Sequence, residues 1–314
     1  MSPLLPAGPA AARIADLTYV IFGLAAVVFI VVESLLLFAV LRFQRAQVSS
    51  EPKQIYGNAP LEAVWTAVPA LILAVLLAFT LRTMAAVAGP VRAAPAQGAV
   101  DAIQVIGHQW WWEVRYPGAQ ISTANEIHIA VGQPVHVDVS STDVIHSFWV
   151  PQLQGKIDVI PGRINATWLQ ADRPGVYRGQ CAEFCGDQHA RMALLVVADP
   201  ADQFSAWLED QQQPAAPPTD PQAQQGVQVF ARVGCITCHT IRWGSTGAGG
   251  TRGPDLTHVG SRRTLAAGTL PNTPGTMAGW IANPQALKPG SDMPNLNLNG
   301  DDLQALLALL EGLR

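Results

Sequence analysis

Two long apolar runs open the chain. From Leu17 to Leu41 the only charged residue is Glu33, and from Val64 to Leu81 there is none. Each run is long enough to cross a bilayer as a helix, so residues 1–98 read as an N-terminal segment and a transmembrane hairpin with spans near 17–41 and 62–82. The pattern then changes to a period of two. Ile127, Ile129 and Val131, then Val135, Val137 and Val139, alternate with polar residues, which puts His128 and His136 on the opposite, solvent-facing side of their strands. Gly, Pro and Asp punctuate residues 99–200 at roughly even intervals, as in a β-sandwich. Residues 201–222 include EDQQQPAAPPTDPQAQQ, which has no apolar period and reads as a flexible linker, with FSAWLED ending the sandwich in a helical turn. From 223 to 314 three helical stretches follow, GVQVFARVGC, GTMAGWIANP and DDLQALLALLEGL, so this part reads as a small all-α domain.

The chain has 314 residues, 49% of them hydrophobic and 13% charged, with a net charge of −4. That balance fits a membrane protein, and no nucleic-acid partner is expected. The segment joining the two spans carries Arg42, Arg45 and Lys53, against Arg13 alone before the first. The positive-inside rule therefore places the joining segment in the cytoplasm and everything after residue 98 outside. Met1–Ala12 lacks the basic start and short apolar core of a signal peptide, and no early cysteine is present for lipidation.

All four cysteines fall in two clusters. CAEFCGDQHARM, Cys181 to Met192, places two cysteines, a histidine and a methionine three or four residues apart. Thiolate, thioether and imidazole together favour copper. A zinc knuckle or a Cys181–Cys185 disulfide would leave Met192 unused, and a mononuclear blue-copper site needs one cysteine, not two. Two copper ions bridged by both sulfurs account for the second thiolate. His189 then binds one ion, and the second imidazole comes from His146, which opens the strand-like HSFWVPQ.

The other cluster is CITCH, residues 235–239, the pattern of covalent haem c attachment. Cys235 and Cys238 lie about one helical turn apart, and His239 faces the iron. The sixth ligand must come from downstream. Met293 in PGSDMPN lies in a loop able to reach across a haem face; Met277 reads as core, and His258 is the remaining alternative.

Taken together, these segments resemble subunit II of the haem-copper cytochrome c oxidases, in the bacterial form with a fused C-terminal cytochrome c domain. EAVWTAVPALIL, GHQWWWEVRY, HSFWVPQLQGKIDVIPGR, CAEFCGDQHARM and the haem motif carry the resemblance over nearly the whole chain. It implies a two-helix hairpin, a cupredoxin sandwich and a class I-like cytochrome c domain. It also implies a dinuclear copper centre, CuA, on His146, Cys181, Cys185, His189, Met192 and the backbone carbonyl of Glu183, and a second role for the Glu183 side chain on magnesium at the border with subunit I. Trp110 would be the electron-entry residue, with Trp111 standing where tyrosine is usual in the family. Trp110 to Trp112 alternate faces on a strand, so at least one points outward, and core packing accounts for the rest. Glu62 would sit at the mouth of a proton channel or act as an interfacial carboxylate, and mid-span Glu33 would face subunit I or be protonated.

The implied function is an electron-entry subunit, taking electrons from cytochrome c or a similar donor through haem c and CuA to subunit I for oxygen reduction coupled to proton translocation. Subunit III and the bilayer complete the expected partners, and the location is the bacterial cytoplasmic membrane with the redox domains on the periplasmic face. The alternative is the CuA-carrying subunit of a haem-copper nitric oxide reductase. Residues 99–200 hold six Lys or Arg against ten Asp or Glu, whereas residues 223–314 hold seven against five. An acidic copper domain and a basic, tethered haem domain would dock electrostatically near Trp110, with transfer slowing as salt rises.

Overall fold

The protein is described by a computed structural model covering residues 2–44, 54–89, 102–244 and 246–314. Arg45 and Lys53, and the domain boundary expected at residues 98–99, lie outside the described residues. Residues 12–88 form one compact unit; the remaining described residues form a second.

The first unit is a pair of helices, α1 (Pro9–Phe43) and α2 (Ala59–Ala88), each extending beyond its predicted span. Their most apolar windows have mean hydropathies of 2.8 and 2.3 and contain no buried residue. So much exposed apolar surface is stable only against lipid or other protein. Asn58 starts α2 by accepting from the Leu61 amide, while Glu62 Oε1 accepts from the Asn58 amide at 3.0 Å. Glu62 thus has a structural task as part of a helix cap.

The second unit begins before the first span. The Ala7 amide donates to the Gln152 carbonyl, the Ala7 carbonyl accepts from the Asp172 amide, each at 2.8 Å, and Ala7 is buried in the sandwich core. Residues up to Ala11, expected to belong with the hairpin, therefore cluster with the sandwich because their small side chains fit closely against it.

The sandwich has ten strands: β1 (Ile103–His108), β2 (Trp111–Tyr116), β3 (Ile121–Ala124), β4 (Glu126–Ala130), β5 (Val135–Ser141), β6 (His146–Trp149), β7 (Ile157–Val159), β8 (Asn165–Leu169), β9 (Gly175–Cys181) and β10 (Ala193–Asp199). They form two five-stranded sheets, ordered β3-β2-β1-β5-β8 and β4-β10-β9-β6-β7. Alternating residues from both sheets, among them Val105, Val114, Val137, Val139, Phe148 and Val196, meet in one core. Trp112 is fully buried and packs edge-on against Phe148. Each large side chain buried this way contributes about 1.5–3 kcal/mol.

Part of the stretch expected to be a flexible linker is helical, extending the turn expected at FSAWLED. Helix α3 (Ala201–Gln212) lies on β4 and β10, because Phe204, Trp207 and Leu208 share one helical face and pack on the sandwich core. Trp207 stacks on His128 with ring centroids 4.1 Å apart. His128 is therefore buried rather than solvent-facing, and it is satisfied by Asp199 at 3.0 Å. His136 remains half-exposed, paired with Asp138. Beyond α3 the chain stays pinned: the Ala215 amide donates to the Arg242 carbonyl, and Arg242 donates back to the Gln211 carbonyl.

The C-terminal domain contains α4 (Pro221–Arg232), the short hairpins β11 (Thr240–Trp243) with β12 (Thr246–Gly249) and β13 (Thr264–Leu265) with β14 (Leu270–Pro271), then α5 (Pro274–Ala282), α6 (Pro284–Leu287) and α7 (Gly300–Gly312). Helices α4 and α7 cross tightly at Gly226, where a Cβ would collide with the Ala305 carbonyl and lie 2.8 Å from Leu309 Cβ. Replacing Gly226 with Val should destabilise this domain by about 1–3 kcal/mol. The change would be read as an earlier C-terminal transition in denaturant unfolding of the full chain, with the sandwich transition unmoved.

Candidate metal and haem sites

The copper candidates meet at one end of the sandwich. β6 and β9 pair antiparallel with Phe148 opposite Cys181, so His146 at the start of β6 lies beside the end of β9. β10 departs immediately after Met192. The Cys181 amide donates to the Met192 carbonyl at 2.9 Å and closes the ten-residue excursion between them. The Ala182 amide donates to the Ser147 carbonyl at 2.9 Å, tying the loop to the strand that carries His146.

Within this loop the Cys181 and Cys185 sulfurs lie 3.8 Å apart. His146 Nδ1 is 3.9 Å from the Cys181 sulfur, and His189 Nδ1 is 3.6 Å from that of Cys185. Met192 Sδ is 3.8 Å from the Cys185 sulfur, and the Glu183 carbonyl 3.2 Å from that of Cys181. All six residues singled out in the sequence thus converge. The Glu183 side chain is exposed, so its carbonyl and carboxylate serve different surroundings. The donor chemistry fits two soft ions: paired thiolates, two imidazoles, a thioether and a carbonyl.

The electrostatics prepare the sulfurs. The hydrogen bond from Cys185 holds the Cys181 thiol far below the ordinary thiol range, burial opposes this, and His146 adds to the lowering. Cys185 is pushed upward by the same contact and by burial. His146 is fully buried, which alone would disfavour its charged form, yet its hydrogen bonds to Asp143 and Cys181 raise its pKa. Asp143 Oδ1 receives His146 Nε2 at 2.8 Å, and its other oxygen receives the Gln109 amide at 2.7 Å. The carboxylate therefore fixes the tautomer that presents Nδ1 to the sulfurs.

Asp143 escaped the sequence reading, although its place three residues before His146 was a signal for an orienting carboxylate. Gln109 left no such signal. Its side chain and the Trp110 indole both donate to the Cys185 carbonyl, at 2.7 and 3.0 Å, across more than seventy residues of sequence. Trp110 and Trp111 are half-buried, while Trp112 belongs to the core. Trp111 stacks on His108 at 4.3 Å.

In the C-terminal domain, Cys235 and Cys238 flank a single 3-10 turn and both are partly exposed. His239 Nδ1 donates to the Pro254 carbonyl at 2.8 Å, which leaves Nε2 as the ligating nitrogen. Burial depresses the His239 pKa, with the Pro254 bond opposing, so the ring is held neutral as a metal ligand requires. Gly253 lets the backbone approach this ring closely; a Cβ there would lie 2.8 Å from Nδ1. These features fit an iron-bound imidazole with two thiols alongside. Met293 is half-exposed in the segment between α6 and α7, with its carbonyl held by Gln285. Met277 is buried core, and His258 Nε2 is occupied by the Gln213 carbonyl.

Three family models cover most of the chain: cytochrome c oxidase subunit II transmembrane domain over residues 5–83, its periplasmic domain over 118–199, and cytochrome c over 223–314. The cytochrome c oxidase subunit 2 of Alkalihalophilus pseudofirmus is 36% identical across all of this chain and 91% of its own length. The chain belongs to the cytochrome c oxidase subunit II family. The Bacillus subtilis subunit 2 is 30% identical over all of this chain and 92% of its own. The periplasmic domain of subunit II from Bradyrhizobium japonicum is 31% identical, covering 38% of this chain and 97% of that one, with a TM-score of 0.36. Family membership makes the chain a membrane-bound subunit of an oxidoreductase complex with a subunit I partner, and implies CuA and a haem.

Replacing Asp143 with Asn should weaken copper binding by about 10- to 100-fold through loss of His146 orientation. Competitive copper titration of the purified chain would measure it, with haem content as the internal reference.

Proposed function

We propose that this chain is the electron-entry subunit of a terminal oxidase, in which covalently bound haem c and dinuclear CuA carry single electrons from a cytochrome c-like donor to subunit I, where oxygen is reduced and protons are translocated. The observation that carries this reading is the convergence of both thiols of the copper loop with His146, His189, Met192 and the Glu183 carbonyl. Two buried sulfurs 3.8 Å apart repel by about 4 kcal/mol when both are ionised at an effective dielectric of ~20. They become a stable pair only with cations between them.

Cys235 and Cys238 would hold the haem through thioether links, and His239 Nε2 and Met293 would ligate its iron, which would carry the electron. Trp110, hydrogen-bonded to the Cys185 carbonyl, is the residue through which electrons reach the copper loop. Phe184, 76% exposed and against His189, and the exposed Val144 and Ile145 just before His146 in sequence leave apolar surface beside the ligands. This patch suits burial against subunit I, towards which the exposed Glu183 carboxylate offers a ligand for magnesium. Both redox domains lie on the periplasmic side, where haem c is attached. Glu62, besides capping α2, marks the entrance of a proton path lined by subunit I.

The test is turnover by the detergent-purified complex with reduced cytochrome c. Oxygen uptake should be fast, sensitive to cyanide and abolished by Cys181→Ser. Preferential consumption of nitric oxide would instead assign the chain to a nitric oxide reductase.

A further inference from the structure

Lys288, at the end of α6, is 3% exposed. Among the described residues no carboxylate lies within ion-pair distance of it. Its ammonium instead donates to three backbone carbonyls: Trp110 at 3.1 Å, Arg191 at 3.1 Å and Ala266 at 3.4 Å. An ammonium has three N–H donors, so this arrangement offers an acceptor for each. Two of the three belong to the copper domain, and both touch the copper site. Arg191 immediately precedes Met192, and Trp110 donates through its indole to the Cys185 carbonyl. Burial, with Arg191 adding, lowers the Lys288 pKa to about 8, which leaves the ammonium form dominant at neutral pH.

The third carbonyl belongs to a strained turn of the haem domain. Ala266 and Ala267 both adopt left-handed backbone conformations, with φ of 51° and 57°, a region that disfavours residues with a Cβ. Such strain persists only where surrounding contacts hold it. The contacts here cross between domains: the Ala267 carbonyl accepts from the Ala193 amide at 3.0 Å, and the Gly268 carbonyl from Arg178 at 2.9 Å. On the α6 side, Gln188 donates to the Pro289 carbonyl at 2.6 Å and Arg191 to that of Leu287. All the ion pairs among the described residues stay within one domain or the other. Charge also enters the contact: the Glu126 carboxylate of the copper domain accepts from the haem-domain amides of Arg263 and Thr264, at 2.6 and 3.1 Å.

The geometry points to Lys288 as a positioning residue, a latch that locks the haem domain onto the copper-ligand loop and so fixes the internal route from haem to copper. This deepens the function proposed above and rests on it. A latched domain transfers electrons without diffusing, so transfer in the native chain is insensitive to viscosity and to salt. It also turns the Trp110 carbonyl inward, making the haem domain the face presented to an external donor.

The test compares the native complex with Lys288→Met, using Lys288→Gln if the first variant does not assemble. Two measurements are made: amide hydrogen exchange across residues 265–268 and 287–290, and haem-to-copper transfer after flash reduction. In the variant, exchange should rise in both segments. Transfer should slow by about tenfold or more, the effect expected for even one of the three charge-assisted hydrogen bonds lost, and should acquire a viscosity dependence. Copper and haem spectra should stay unchanged. Exchange and transfer both matching the native complex would overturn the latch. A native complex with no haem-to-copper transfer would overturn the functional reading instead, and exchange would still decide whether Lys288 holds the domains together.

Discussion

The closeness of two buried sulfurs governs the copper domain. Cys181 ends β9 and Cys185 lies four residues on in the loop, so their separation follows from how the backbone closes that loop. The Cys181 amide on the Met192 carbonyl and the Ala182 amide on the Ser147 carbonyl close the loop from both sides. Within this frame one thiol ionises easily chiefly because the other donates to it, with His146 adding to the effect. A second ionisation needs positive charge, and this couples metal binding to the folded form of the loop. His146 is part of the same constraint. Strand β6 brings it beside Cys181, and Asp143 leaves only Nδ1 to face the sulfurs.

The haem site is built on a different plan. Its cysteines lie within one short turn and its imidazole is held by a single carbonyl, while Met293, the proposed second ligand, lies in a segment without regular structure. The packing that supports it is the α4–α7 crossing at Gly226 and the core of Leu306, Leu309 and Met277. The two plans meet where α6 and the Ala266 turn lean on the copper loop. There, rigidity comes from hydrogen bonds to carbonyls, which depend on geometry more than on ionic strength.

Much of this was legible in the sequence because the decisive signals are local. Apolar run length reported the spans, period-two alternation reported the sandwich, and the three- and four-residue spacings of Cys181, Cys185, His189 and Met192 reported the ligand loop. His146 was within reach because it opens a strand. What stayed hidden depends on long-range contact. FSAWLED reads as a single helical turn, but the full length of α3 and its seat on β4 and β10 are not visible in it, and His128 reads as exposed until Trp207 covers it. Lys288 looks like any surface lysine, since no pattern of residues reveals that three carbonyls will converge on its ammonium.

The proposed function requires this chain to hold two copper ions on Cys181 and Cys185 together. The most direct measurement is electron paramagnetic resonance of the purified oxidised chain, with copper and iron counted on the same sample. Two copper atoms per haem and a single unpaired electron coupled equally to two copper nuclei are expected, with that pattern lost in Cys185→Ser. A signal from one isolated copper nucleus, or zinc in place of copper, would contradict it.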